Sequence, residues 1–154
     1  MTSQSNSPAD DAYIAPSVSV IVTNYNYGHY IDACLDSLRM QTSSADEIIV
    51  VNDGSTDGST DILSQISDAL VIDQPNGGQA AAFTAGFAAS TGDIIIFVDA
   101  DDKLHPSAVQ PIRRLWTDDI SALSYGLSMI DGQGQPVGQY AMDVPDGDLL
   151  ARLL

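Results

Sequence analysis

The sequence predicts an α/β domain built on a mostly parallel, Rossmann-like central sheet with helices on both faces. Three observations carry that expectation. Short runs that are apolar throughout and rich in β-branched residues recur along the chain, as strands do when both faces are covered. Segments between them space their apolar residues as helices do. Polar clusters stand at the carboxyl ends of the runs, which is where open, doubly wound sheets bind ligands.

The elements follow in order. Residues 1–16 are rich in Ser, Asn, Asp and Pro and read as a disordered lead-in, without the charged-then-apolar pattern of a signal peptide. Ser17–Thr23 is a buried strand. Gly28 and His29 open a helix to about Gln41, in which Ile31, Cys34, Leu35 and Leu38 share one face. Asp46–Asn52 is a second strand, ending at Asp53-Gly54, and a helix runs from about Asp57 to Ile66. Ala69–Asp73 is a short third strand. Gly77-Gly78 lead into an Ala-rich helix to about Ser90, whose Phe83 and Phe87 read as core. Asp93–Val98 is a fourth buried strand, ending at Asp99. Pro106 suits the first turn of a helix to Trp116, and Ile120–Tyr125 reads as a fifth strand. The turn signal Asp131–Gly134 predicts a hairpin over Met129–Gln139. A last helix begins at Asp146 and is still open at Leu154.

Charge narrows the functions. Twenty-one acidic residues face five basic ones, for a net charge of −16. That balance disfavours nucleic acid, which needs cationic groups against its phosphates. It also repels a nucleotide diphosphate, so such a ligand would bring a divalent cation with it. Most of the acid reads as solubilising surface. The single cysteine, Cys34, excludes an internal disulfide and falls on a buried helix face, as a small core residue does. No run is long and apolar enough to span a membrane. The expected location is cytoplasmic, or peripheral to the inner face of the membrane.

Asp99, Asp101 and Asp102 fall within four residues at the end of a strand. Carboxylates held so close repel one another unless a cation stands between them. Oxygen-only ligands point to Mg2+ or Mn2+, usually held by one or two carboxylates together with substrate phosphates. A helix-capping turn before Pro106 explains any one of these residues alone. Asp53, in Asn52-Asp53-Gly54-Ser55, can accept from a base N–H or a ribose hydroxyl, or simply belong to a strand-to-helix turn capped by Ser55, Thr56 or Asp57. Asn76-Gly77-Gly78-Gln79 lets backbone approach a ligand at a helix start. His29 and His105 have no Cys or His partner at zinc-ligand spacing.

Taken together, VSVIVTNYNYGHYIDACLDSL, ADEIIVVNDGSTDGS, QPNGGQAAAFTAGFAASTGDIIIFVDADD and KLHP resemble the family 2 glycosyltransferases in order and spacing, over roughly Val18 to Pro106. The resemblance implies a GT-A fold, three layers of α/β/α, of which residues 17–154 are the N-terminal, donor-binding part, truncated at the C-terminus. It implies an inverting transferase that takes a nucleotide-diphosphate sugar, by default a UDP-sugar, and glycosylates an acceptor hydroxyl on a saccharide, lipid or protein, as in cell-wall or polysaccharide biosynthesis. Thr23 and Tyr25 would line the base pocket, and Asp53 would accept from base or ribose. Gly77 to Gln79 would form the pocket wall. Asp99 would contact ribose or metal-bound water, Asp101 would ligate the metal, and Asp102 would assist. Many relatives carry Arg-Asn where this chain has Phe83-Thr84. The family's general base lies beyond the hairpin, so no residue here, Asp143 and Asp146 included, takes that role.

Two other readings stand beside this one. A truncated chain would act as a nucleotide- and metal-binding module without turnover, and its last helix, ending on Leu149, Leu150, Leu153 and Leu154, would offer an apolar face for self-association. A phosphotransferase-like hydrolase would use Asp99 as nucleophile, but has no need of the NDGSTD and NGGQAAA segments.

Overall fold

The computed structural model describes residues 15–117, 119–123 and 126–140. Most of the expected lead-in and all of the expected last helix, with its leucine face, lie outside these residues, as do Asp143 and Asp146.

Four strands form one parallel sheet: β1 (Val18–Asn24), β2 (Glu47–Asp53), β3 (Leu70–Gln74) and β4 (Ile94–Asp99), in the order β3-β2-β1-β4. Helices α1 (Gly28–Arg39), α2 (Ser59–Leu63), α3 (Gln79–Ala89) and α4 (Val109–Leu115) fill the connections, and an antiparallel hairpin follows, β5 (Leu127–Ile130) and β6 (Pro136–Tyr140). The chain steps outward from β1 to β3 and then crosses back to the far side of β1. Right-handed crossovers therefore place α1 and α2 on one face and α3 on the other, the three-layer arrangement expected.

Strand β1 is buried at every residue. Its side chains alternate between two cores. Val18, Val20 and Val22 join Ile31, Leu35, Leu63, Val109 and Ile112 on the face of α1, α2 and α4. Ile21 joins Ile49, Val51 and Ala82 under α3. Complete burial of each such side chain contributes about 1.5–3 kcal/mol. On the α3 side, Gly86 decides the separation of the layers. A Cβ added there would stand 2.3 Å from Ile21 Cγ2 and 3.3 Å from Val51 Cγ2. Small residues at Ala82 and Gly86 thus let α3 lie directly on the sheet.

Several boundaries differ from the sequence reading. Helix α2 keeps little more than one turn: it starts at Ser59, where Asp57 accepts from the N–H and hydroxyl, and past Leu63 the chain closes tighter bonds, from Gln65 N–H to the Ile62 carbonyl and from Ile66 N–H to the Leu63 carbonyl. Helix α4 begins at Val109, not near Pro106. The buried Gln41 side chain donates to the carbonyls of Ser37 and His105 at 3.0 and 2.8 Å and accepts from Val109 N–H at 3.2 Å. It thereby holds residues 104–108 as a turn and satisfies the first helical N–H from a distance. The proline inside the first turn of α4 is Pro111, where the missing N–H has no intrahelical partner in any case. Residues 120–123 form no strand, and the rest of that expected strand, residues 124 and 125, lies outside the described residues. The hairpin is present, two residues earlier at its start than expected, as a sheet of its own. Its turn leans on Lys103: a Cβ at Gly134 would come within 2.5 Å of the ammonium nitrogen.

Strand β4 is not buried on both faces. Ile94, Ile96 and Val98 are buried, but Phe97 is 43% exposed. Phe83 packs on Phe97 with ring centroids 4.7 Å apart. Phe87, expected in the core, is 60% exposed, because α3 sits over β2, β1 and β3 and leaves the β4 side of that layer open.

Gly86→Ala is expected to destabilise the domain. Overpacking costs about 1–3 kcal/mol, against about 0.5–1 kcal/mol gained by replacing a helical glycine. The urea midpoint should therefore fall; a midpoint that stays or rises would show that α3 stands off the sheet.

Candidate functional site

Strand order reverses between β1 and β4, the position at the carboxyl ends of the strands where open sheets of this kind form a ligand crevice. The parallel register sets Thr23 of β1 beside Asp99 of β4. Both side chains face the α3 layer, by alternation from Ile21 and Phe97. Thr23 Oγ1 donates to Asp99 Oδ1 at 3.0 Å, and Gln79 Nε2, from the first residue of α3, donates to the same oxygen at 2.8 Å. Three residues singled out in the sequence thus meet on one carboxylate oxygen.

Asp53 and Gly77 meet in a second group next to this one. The buried carboxylate of Asp53 accepts from Gly77 N–H at 2.8 Å and from Gln74 Nε2 at 2.6 Å on Oδ1, and from Gly78 N–H at 2.8 Å on Oδ2. Burial alone would push this carboxyl up; the three donors outweigh it and hold Asp53 below the ordinary carboxylate range. Of the four acceptor positions on a carboxylate, one on Oδ2 is left. Gly54 makes the approach feasible. Its φ is +71°, and a Cβ there would meet Asn76 N at 2.6 Å.

The turn after β4 carries Asp101 and Asp102. The Asp102 carboxyl is raised, first by partial desolvation and then by the charges of Asp101 and Asp99. Tyr27 is raised as well, chiefly by the charge of Asp101 and then by burial. Asp102 and Tyr27 therefore both lie within the field of Asp101 and Asp99. Among the described residues, no three Asp, Glu, His or Cys side chains converge closely enough to hold a metal ion by themselves. The donor set is all oxygen, mutually repelling and incomplete. It fits a hard divalent cation whose remaining ligands come from a diphosphate and water, and it does not fit a cage made by protein alone.

Tyr25 stands apart. Its ring is 46% exposed on the loop after β1, and its hydroxyl makes no hydrogen bond among the described residues. His105 is exposed and bonds the Ser107 hydroxyl through Nδ1 at 3.0 Å. Cys34 is buried on α1, and its thiol, which contacts the Asp99 carbonyl oxygen at 3.7 Å, is pushed up to about 12, first by burial and then by Asp102, Asp101 and Asp99. It packs as a neutral core group.

Sequence reasoning missed the polar network that braces the crevice from the α1 side. Asn26 adopts φ +61° and accepts from Thr56 N–H at 2.7 Å, while its own N–H donates to Ser55 Oγ at 3.0 Å. Asn24, 1% exposed, donates to Asn52 Oδ1 and Ser55 Oγ. Asn52 passes the chain on to Thr60 and Asp73. Asp57 bonds Gly28 N–H at 2.8 Å, tying the start of α1 to the start of α2. The signal available was Asn at a strand end before a Tyr-Gly pair, since Asn tolerates the left-handed region better than most residues.

The profile of glycosyl transferase family 2 matches residues 19–140. The chain belongs to this family. An uncharacterised glycosyltransferase of Nostoc sp. is 40% identical over 134 residues, 83% of this chain and 42% of that protein. Among solved structures, the mannosyltransferase of Pyrobaculum calidifontis, in complex with GDP-Man and Mn2+, superposes with a TM-score of 0.62 at 27% identity, over 73% of this chain and 36% of its own. The Staphylococcus aureus protein TarS, in complex with UDP-GlcNAc, does so at 0.57 and 29%, over 62% of this chain and 30% of its own. The chain thus spans less than half the length of these relatives. Among the described residues, no helix is long and apolar enough to cross a membrane.

The two depressed carboxyls make acid sensitivity testable. Asp53 lies below its ordinary value on the balance described above, and Asp57 does so chiefly through its bond with the Ser59 hydroxyl, against burial. A carboxyl whose folded value is lowered stabilises the fold above its unfolded value, near pH 3.9, and loses that contribution as pH falls through the folded value. Asp53→Asn and Asp57→Asn should each flatten the fall in urea midpoint below about pH 4. Parent and variant curves that stay parallel down to pH 2 would contradict this.

Proposed function

We propose that this chain is the donor-binding part of an inverting glycosyltransferase, which takes a nucleotide-diphosphate sugar with a divalent cation and passes the sugar to an acceptor hydroxyl. The observation that carries this reading is the meeting of Thr23, Gln79 and Asp99 at the switch point of the sheet. It is supported by relatives that hold GDP-Man with Mn2+ or UDP-GlcNAc.

Each group has a task that its place allows. The exposed ring of Tyr25 offers a stacking face for the base. Asp53 keeps one acceptor position for a base N–H or ribose hydroxyl. Gly77 and Gly78 present a wall without side chains, and Gly78 N–H is already committed to Asp53. Asp99 and Asp101 would hold Mn2+ or Mg2+ beneath the diphosphate, with Asp102 beside them. When bound, the cation offsets the diphosphate charge and stabilises the leaving group. The net charge of −16 makes that cation a condition of donor binding, because the chain brings little positive charge of its own to the crevice. Phe83 and Thr84 supply no cation where many relatives have Arg-Asn, which places still more weight on the metal. UDP is the default nucleotide.

Thermal unfolding with UDP, GDP, dTDP and CDP, each with and without Mn2+, tests the reading. A ligand at 100 times its dissociation constant adds about 2.7 kcal/mol. One nucleotide should raise the midpoint, and only with Mn2+ present. Asp101→Ala should keep the parent's unliganded midpoint and lose that response. A variant that binds nucleotide and Mn2+ as the parent does would remove Asp101 from the metal site, and a metal-independent response in the parent would remove the metal from donor binding.

A further inference from the structure

We propose that Gln79 is a positioning residue for Asp99, and that Asp53 holds Gln79 to that task. The inference rests on the reading of Asp99 as a donor-side carboxylate, but its geometry stands without it.

Asp99 is the last residue of β4, and its backbone is well held. Ala100 N–H donates to the Thr23 carbonyl at 3.0 Å and Asp102 N–H to the Asp99 carbonyl at 2.9 Å. The side chain has two torsions left, about Cα–Cβ and Cβ–Cγ. Gln79 and Thr23 restrain both by donating to the same oxygen, Oδ1, at 2.8 and 3.0 Å. Oδ2 receives no side-chain or backbone donor among the described residues. Two donors on one oxygen hold the plane of the carboxylate in one orientation, and they leave the other oxygen with its lone pairs for a cation or a hydroxyl. A carboxylate that ligates a metal is usually oriented in this way by partners that do not touch the metal.

Gln79 is exposed, and a long exposed amide does not hold a geometry unaided, since ordering it costs side-chain entropy. Its backbone supplies the order. Gly77 and Gly78, the two residues before it, both donate their N–H groups to Asp53. Gly78 adopts φ +83° to turn the chain into α3, and Ala81 and Ala82 N–H then close onto the Gly78 carbonyl at 2.9 and 3.1 Å. The end of β2 thereby sets where α3 starts, and the start of α3 sets where the Gln79 amide reaches the end of β4. Thr23 completes the same carboxylate from β1. Asp53 acts here through the loop, with no need to touch a ligand.

Gln79→Met keeps the length of the side chain and removes its donor. Because Gln79 is exposed, the variant should unfold at the parent's urea midpoint. Its Mn2+-dependent affinity for the stabilising nucleotide should fall about 10- to 100-fold. Thr23→Ser, which keeps the hydroxyl, should bind as the parent does, and Thr23→Val should not. Unchanged Mn2+-dependent affinity in Gln79→Met would overturn the proposal. Should the parent show no metal-dependent binding at all, the functional reading fails, and side-chain NMR still decides this one. The two Gln79 amide protons should be shifted apart and slow to exchange in the parent, and should become solvent-like in Asp53→Ala. Solvent-like Gln79 amide protons in the parent would overturn it.

Discussion

The parallel pairing of β1 with β2 on one side and β4 on the other is the constraint on which the crevice depends. It aligns Thr23 with Val51 and with Asp99, and Asn24 with Asn52. A slip of one residue in β1 would turn Thr23 toward α1, away from Asp99, and send Val22 into the opposite layer. The register is secured at its foot by carboxylates. Asp46 accepts from Val18 N–H at 2.8 Å, Asp93 from Ser17 N–H at 2.9 Å, and Glu47 from Ser19 Oγ at 2.6 Å and Thr91 N–H at 3.0 Å. Polar groups at the bottom of the sheet hold the alignment that polar groups at the top make use of.

The strands and their order of use were legible because their composition leaves little choice. Seven residues such as VSVIVTN, with Val18, Val20 and Val22 on one face and Ile21 on the other, demand cover on both sides, and the helical spacing of Ile31, Cys34, Leu35 and Leu38 supplies it on one. The convergence of the strand-end motifs followed from that topology. Where the reading failed, a distant partner decided the outcome. Gln41 fixes the start of α4 from more than sixty residues away in sequence, and no local pattern announces it. Phe87 and Phe97 are apolar without being covered, since periodicity reports which residues share a face and says nothing of what lies over it. The cap of α2 is none of Ser55, Thr56 and Asp57 but Gly58, in the left-handed region, with Asp57 accepting from Ser59 N–H one residue before it.

The site was legible by residue and not by role. Asp53 and Gln79 stood out through their neighbours, a Gly after one and a pair of Gly before the other. Their relation to each other lies in hydrogen bonds between β2, the loop before α3 and β4. The same holds for the acidic composition. Most of the acid reads from sequence as solubilising surface, yet Asp46, Glu47, Asp53, Asp57 and Asp93 all close backbone N–H groups or hydroxyls. The abundance of Asp over Glu suits that work, because the shorter side chain reaches a nearby amide with fewer torsions to order.

This use of carboxylates bears on how the domain responds to ionic strength. A chain with a net charge of −16 is destabilised in its compact form by self-repulsion. Repulsion between exposed charges is screened within about 8 Å at physiological salt. Short, directional bonds from amides to carboxylates act over less than a Debye length and are screened less, least of all at the buried Asp53. Ion pairs, which salt would weaken, are few in the described residues: Arg39 with Asp36 and Asp68, and Arg113 with Asp46. Added salt therefore relieves what opposes folding and spares most of what supports it, which makes this a domain that tightens in brine.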